Sequence, residues 1–186
     1  MNERAQDRTP ALSAEARVEM DALWSAGRDS FGDRPRVARH AVSAPTMLNE
    51  AHAYAQPSSF SRGLRVELPG ATLLVLSGTA SIDDQGRTVH PGDFAAQLLR
   101  TYRNLTGLLA AEEASWHDVV RTTCYLRDID RDYDTFNQIR TAFFVHLGLD
   151  PLPASTGIQA HLCRSDLLIE IEALAVLARH TGSGDR

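Results

Sequence analysis

Two cysteines in 186 residues, Cys124 and Cys163, are too few for a disulfide framework and stand at no metal-ligand spacing. The expectation is a reduced, cytoplasmic chain with no metal and no cofactor. No apolar run approaches the roughly 20 residues that a membrane-spanning helix needs. The N-terminal stretch MNERAQDRTP also lacks the apolar core of a secretory signal. Positive charge is in short supply: 19 Lys and Arg against 24 Asp and Glu leave a net charge of −5. Neither nucleic acid nor an anionic membrane surface is therefore expected as a partner. The one basic cluster, Arg34, Arg36, Arg39 and His40, is small enough to read as a solvated loop. Internal repeats are absent too.

What is present is ordinary globular material, 43% hydrophobic and 23% charged, sized for one domain with an appendage. Residues 1 to about 11 read as disordered. Ser13 is a good N-cap for a helix carrying Val18, Met20, Leu23 and Trp24 and ending near Gly27. Residues 28 to about 60, punctuated by Gly32, Pro35, Pro45 and Pro57, read as an irregular arm packing over the domain or a neighbouring subunit. The division expected is thus an N-terminal extension over 1–54, a folded domain over 55–178 and a disordered tail over 179–186.

Within that domain Leu64–Glu67 and Thr72–Ser77 read as strands joined by the Pro69-Gly70 turn. Asp83–Arg87 is a polar turn. Asp93 caps a helix running to about Ala111, in which Phe94, Leu98, Tyr102, Leu105 and Leu109 recur on one face. Val119–Leu126 is a third strand. A second helix is expected from about Tyr133 to Leu147, stopped by Gly148. Thr156–Leu162 and Leu167–Leu177 complete the order β-β-α-β-α-β-β. The fold class implied is α/β (α+β), one mixed sheet with two helices on one face.

The last strand determines what the other face must be. In Leu168-Ile169-Glu170-Ile171-Glu172-Ala173 the side chains alternate, so Ile169, Ile171 and Ala173 meet the helices while Glu170 and Glu172 point away. Leu168, Leu174 and Val176 share that second face and are too apolar to be left in water. A partner should cover it, and a carboxylate enclosed there becomes a candidate acid or base with a raised pKa.

Five segments in order resemble motifs of the RidA (YjgF) family: Leu76-Ser77-Gly78, Asn104-Leu105, Arg121 to Asp128 (RTTCYLRD), Tyr133 to Asn137 (YDTFN) leading into Ala142-Phe143-Phe144, and the Leu168–Ala173 strand. The resemblance covers roughly residues 55 to 178. It implies a chorismate-mutase-like fold whose sheets form a barrel at the centre of a homotrimer, with small-molecule clefts between subunits. It also implies hydrolysis of reactive enamines and imines, with a glutamate positioning water and an arginine holding the substrate carboxylate in its planar fork. Carried over residue by residue, Glu170 stands at the water-positioning glutamate, and Ser77, Gly78 and Asn137 stand at pocket positions. The family's arginine after Pro153-Ala154 is replaced by Ser155, which cannot neutralise a carboxylate. The tyrosine of the pocket wall is replaced by Phe60, and a small reactive residue by Gly157.

Two arginines are candidates to replace the missing one, Arg62 beside Phe60 and Arg164 after Cys163, although an exposed loop arginine is the blander reading of each. The segment Ala160 to Leu168 (AHLCRSDLL) together with Ser77 to Ser81 (SGTAS) also resembles the chorismatases. That resemblance implies a cysteine–glutamate pair at Cys163 and Glu170 acting on an enol ether. His161, by alternation on the strand face of Ser155 and Gln159, is either a polar residue at a subunit seam or a second acid–base group. Cys124 reads as a small core residue. Two functions remain open: an enzyme acting on a conjugated imine, enamine or enol ether with Glu170 as its acid–base group, or a non-catalytic trimer that binds a metabolite or a partner protein.

Overall fold

The computed structural model describes residues 11–27, 36–55 and 57–178. It contains helices α1 (Ala14–Gly27), α2 (Phe94–Ala110) and α3 (Ile129–Leu147). Its strands are β1 (Arg39–Ala41), β2 (Gly63–Leu68), β3 (Ala71–Ala80), β4 (Val119–Leu126), β5 (Ala154–Gln159) and β6 (Ile169–Ala178). The segment up to Arg36 is one compact unit, and a second begins at Val37. In the first, the Ser13 hydroxyl accepts the Ala16 N–H at 3.2 Å and opens α1, on which Val18, Leu23 and Trp24 are all exposed. The second carries the sheet.

That sheet has the order β1-β2-β3-β6-β4-β5, antiparallel throughout except for the β4–β5 pair. The parallel pair is bridged by α3, as a parallel crossover requires. Leu74, Leu76, Ile169, Ile171, Ala173 and Ala175 send their side chains to one face and bury them against Leu98, Leu105, Leu109 and Phe136 of α2 and α3. Alternation along β6 is as the sequence pattern requires, with Glu170 and Glu172 on the opposite face and only half-buried. Leu168 departs from it. The strand begins one residue later, and the Leu168 N–H is taken by Gln97 Oε1 at 2.8 Å, so its side chain joins the core instead of the open face.

The helix boundaries follow their caps. Asp93 accepts the Ala96 N–H at 3.0 Å and Gly148 ends α3 with φ 65°, both where the sequence puts them. Helix α3 starts four residues before the expected Tyr133. Asp128 caps it by accepting the Arg131 N–H at 3.1 Å, and after Ile129 its first turn is polar, with Asp130 and Asp132 beside the positive end of the helix dipole. With Ile129 as its one apolar residue, that turn shows no periodicity to detect.

The expected arm is partly built into the sheet unit. Arg39–Ala41 pairs with Leu64–Val66 as an edge strand, and Val42, Ala44, Leu48 and Ala51 are buried in the same core. Three-residue strands and isolated buried residues between prolines leave no periodic signature. Residues 1–10, 28–35, 56 and 179–186, where disorder and part of the arm were expected, lie outside the described residues. Strand β5 ends at Gln159, so His161 is in the following loop, exposed, and alternation no longer ties it to Ser155.

Candidate active site

Strand β3 is broken by a bulge. Leu76 pairs with Ala173 and Thr79 with Ile171, so three steps on β3 match two on β6. The displaced groups are satisfied locally: the Ser77 hydroxyl donates to the Ser61 carbonyl at 2.8 Å, and the Thr79 hydroxyl donates to the Ser77 carbonyl at 2.9 Å. Gly78 faces the side chain of Glu170 across the bulge, and a Cβ there would stand 1.9 Å from Glu170 Oε1. The carboxyl group occupies the space that the missing side chain leaves.

Around it lies a cavity of about 620 Å³, lined by Ala51, Tyr54, Pro57, Ser58, Phe60, Arg62, Ser77, Gly78, Ala80, Ile82, Cys163, Arg164, Leu167 and Glu170. Three segments far apart in sequence make its walls. The approach to β2 supplies Tyr54, Phe60 and Arg62, the bulge supplies Ser77 and Gly78, and the loop before β6 supplies Cys163 and Arg164. Gln97 fixes that last loop from α2. It is fully buried, donates to the Asp166 carbonyl at 2.8 Å and accepts from the Leu168 N–H. Asn104, also fully buried, donates to the carbonyls of Ala80 and Ile82 at 2.9 and 3.0 Å and so pins the end of β3.

Neither candidate arginine is a free surface group. Arg62 is only 4% exposed, its guanidinium lying between the rings of Tyr54 and Phe60 at 5.0 and 5.2 Å. It donates to the Asn49 carbonyl at 3.2 Å and to the Tyr54 hydroxyl at 2.6 Å. Arg164, half-buried, donates to the Gly86 carbonyl in the polar turn after β3, and its own carbonyl accepts from Arg127. Burial pushes the Glu170 carboxyl above the ordinary carboxylate range. Glu172 adds to the rise, and the charges of Arg62 and Arg164 pull against it. Tyr54 was missed by sequence reasoning. Its hydroxyl and ring both engage Arg62, and the only available signal was a lone tyrosine six residues before Phe60.

Seven of the sequence candidates, Phe60, Arg62, Ser77, Gly78, Cys163, Arg164 and Glu170, line this one cavity. Asn137 and Ser155 do not. They meet each other at Arg140 of α3, whose guanidinium donates to Asn137 Oδ1 at 2.7 Å and to Ser155 Oγ at 3.2 Å. His161 belongs to neither group. Cys124 is a buried core residue, and burial pushes its thiol up.

The profile of the family described as Endoribonuclease L-PSP matches residues 50–177. The chain belongs to the RidA/YjgF family. Among the relatives with that membership, the rat 2-iminobutanoate/2-iminopropanoate deaminase is 28% identical over 138 residues, covering 74% of this chain and 94% of the relative. The 3-aminoacrylate deaminase RutC of Acinetobacter baylyi is 31% identical over 103 residues, covering 55% and 78%. The crystal structure of the YjgF gene product of Escherichia coli superposes with a TM-score of 0.60 at 25% identity, covering 74% of this chain and 98% of that one. The mixed sheet and its helices thus belong to a RidA/YjgF fold. Among the described residues no helix is long and apolar enough to cross a membrane.

Proposed function

We propose that this chain is a small-molecule hydrolase of the imine and enamine type, with Glu170 as its acid–base group. The observation that carries the reading is the placement of Glu170: a half-buried carboxyl with a raised pKa, seated over Gly78 in a cavity large enough for a small acid. The names of the two deaminase relatives supply the substrate class, a short imino or enamine acid.

In that reaction an enamine first takes a proton on carbon and becomes an iminium ion, the protonated imine. Water then adds to the C=N carbon, the nitrogen is protonated, and ammonia leaves as the C=O bond forms. One group that gives a proton and later accepts one from water serves every step. Burial that favours the neutral form of the Glu170 carboxyl suits it to giving a proton as well as to taking one back. The alternative of enol-ether hydrolysis keeps Cys163 beside Glu170, since both line the cavity. The relatives named above are deaminases, and imine hydrolysis is the reading preferred.

We read the working unit as a homotrimer with its clefts between copies. The open sheet face, 36% exposed at Val75 and 42% at Val176, presents apolar surface beside Glu172 that a second copy would cover. Light scattering should give three chains per particle, and a stable monomer at working concentration would remove this part of the reading.

The deciding experiment generates an imino acid in situ with an amino acid oxidase and traps it with semicarbazide. Reduced trapping that depends on Glu170 is the expected result. Unchanged trapping would retire the hydrolase reading in favour of a trimer that only binds a metabolite or partner.

A further inference from the structure

Among the described residues Arg140 has no carboxylate partner. The ion pairs among the described residues engage Arg65, Arg87 and Arg131, and no carboxylate lies within 4.0 Å of Arg140. Its neighbours are neutral and hold it in a fixed plane. Asn137 Oδ1 accepts at 2.7 Å, Ser155 Oγ accepts at 3.2 Å, and the guanidinium carbon stands 4.7 Å from the centre of the Phe136 ring. Ser155 is itself set by the Thr122 hydroxyl, which donates to it at 3.0 Å. Two of the five N–H donors of the guanidinium are thereby accounted for, leaving the rest of the fork for a ligand. The strand beside it, β5, is exposed along all its length.

A planar, oriented, unneutralised guanidinium at an open strand is suited to one ligand chemistry, the paired oxygens of a carboxylate. The serine at position 155 then takes on a purpose. It supplies no charge of its own, but accepts a bond from the charge that α3 supplies and steers it.

Arg140 and Glu170 do not share a face. Ser155 is paired with Thr122, and Thr122 with Ala173, whose side chain lies in the core on the helix side. Glu170 points to the opposite face of the same sheet. One ligand can touch both groups only by lying between two copies of the chain.

We propose that Arg140 is the carboxylate-binding residue of this protein, oriented by Asn137, Ser155 and Phe136 toward the substrate held by the Glu170 pocket of a neighbouring copy. The claim that the carboxylate belongs to the substrate rests on the imine-hydrolase reading; the claim that Arg140 binds one does not.

The probe is 2-oxobutanoate, the keto acid that hydrolysis of 2-iminobutanoate gives, titrated calorimetrically into the full-length protein. Arg140→Gln should weaken binding at least about 30-fold, the effect of removing a charge-assisted contact in a cleft that the neighbouring copy closes. Its thermal midpoint should stay near that of the wild type. Moving the guanidinium back to the strand, in Arg140→Gln combined with Ser155→Arg, should recover most of the affinity, which no purely structural role for Arg140 predicts. Arg140→Lys keeps the charge without the fork and should lie between, so it remains informative should Arg140→Gln fold poorly. Binding by Arg140→Gln or Arg140→Lys equal to wild type would overturn the proposal, as would a wild-type protein that ignores millimolar 2-oxobutanoate. The two readings fail separately. Arg140-dependent binding without imine turnover ends the hydrolase reading alone, and turnover indifferent to Arg140 ends the clamp alone.

Discussion

Glu170 and Gly78 fill one space between them: a Cβ at position 78 would approach Glu170 Oε1 to 1.9 Å. The obstacle is the tip of a flexible side chain and not backbone. A methyl group would therefore displace the carboxyl without breaking the strand. Gly78→Ala should keep a thermal midpoint within a few degrees of wild type and lose roughly 100-fold in kcat, the usual worth of a positioned acid–base group. Unimpaired turnover would mean that the position of the carboxyl over the bulge is immaterial.

Glu170→Gln tests the electrostatics of the same carboxyl. Its pKa is raised in the folded protein, so its contribution to stability is full below the unfolded value and is lost as pH rises through the folded one. At neutral pH the neutral glutamine should accordingly be the more stable side chain, by about 2–4 °C in thermal midpoint. The advantage should shrink as pH falls toward the ordinary glutamate range and be gone below it. A difference independent of pH would place the carboxyl in an unperturbed environment.

Tyr54→Phe removes the acceptor at 2.6 Å from a guanidinium that is almost wholly buried. An orphaned donor of this kind costs on the order of 1–3 kcal/mol, and a charged one lies toward the upper end. Denaturant melts should show that loss, with the unfolding slope unchanged. A neutral outcome would mean that water replaces the hydroxyl.

Ser155→Arg alone is expected to fail as a gain of function. The new guanidinium would be placed against Arg140, whose Nη1 already stands 3.2 Å from the Ser155 hydroxyl. Like charges in contact should lower the thermal midpoint by a few degrees, or about 1 kcal/mol. A stabilised variant would show that Arg140 moves aside freely.

Truncation distinguishes the two boundaries of the N-terminal segment. Removing residues 1–36 should leave the second unit folded. Removing residues 1–54 also deletes β1 and the buried Val42 and Leu48, 0% and 1% exposed, and should cost several kcal/mol, of the order seen when large core side chains are lost. Circular dichroism melts of the two truncations, compared with the intact chain, read the difference directly.

The sequence was most legible where periodicity was long and unbroken. The apolar stripe of α2, the alternation of β6 and the caps at Ser13, Asp93 and Gly148 are local signals, and the structure follows them. Position 128 was missed because the turn it opens carries one apolar residue, Ile129, and so no period, and β1 because three residues carry none. In the pocket, Glu170, Ser77, Gly78, Phe60, Arg62, Cys163 and Arg164 were all legible as candidates. The burial of Arg62 was not, because it depends on Tyr54 and Asn49 folding back over it. Arg140 was invisible for a similar reason. In sequence it is one more charged residue on a helix, and only tertiary packing places it on Ser155, fifteen positions away.

The bulge in β3 gives the pocket a genetic reading. Between Leu76 and Thr79 the strand holds one residue more than its ladder with β6 consumes. Removing one codon there would let the sheet pair without interruption, with the strands on either side keeping their partners. The protein so made would still be a sheet covered by two helices, but the niche that receives the Glu170 carboxyl would be gone. One in-frame codon thus separates a scaffold from a scaffold with a site.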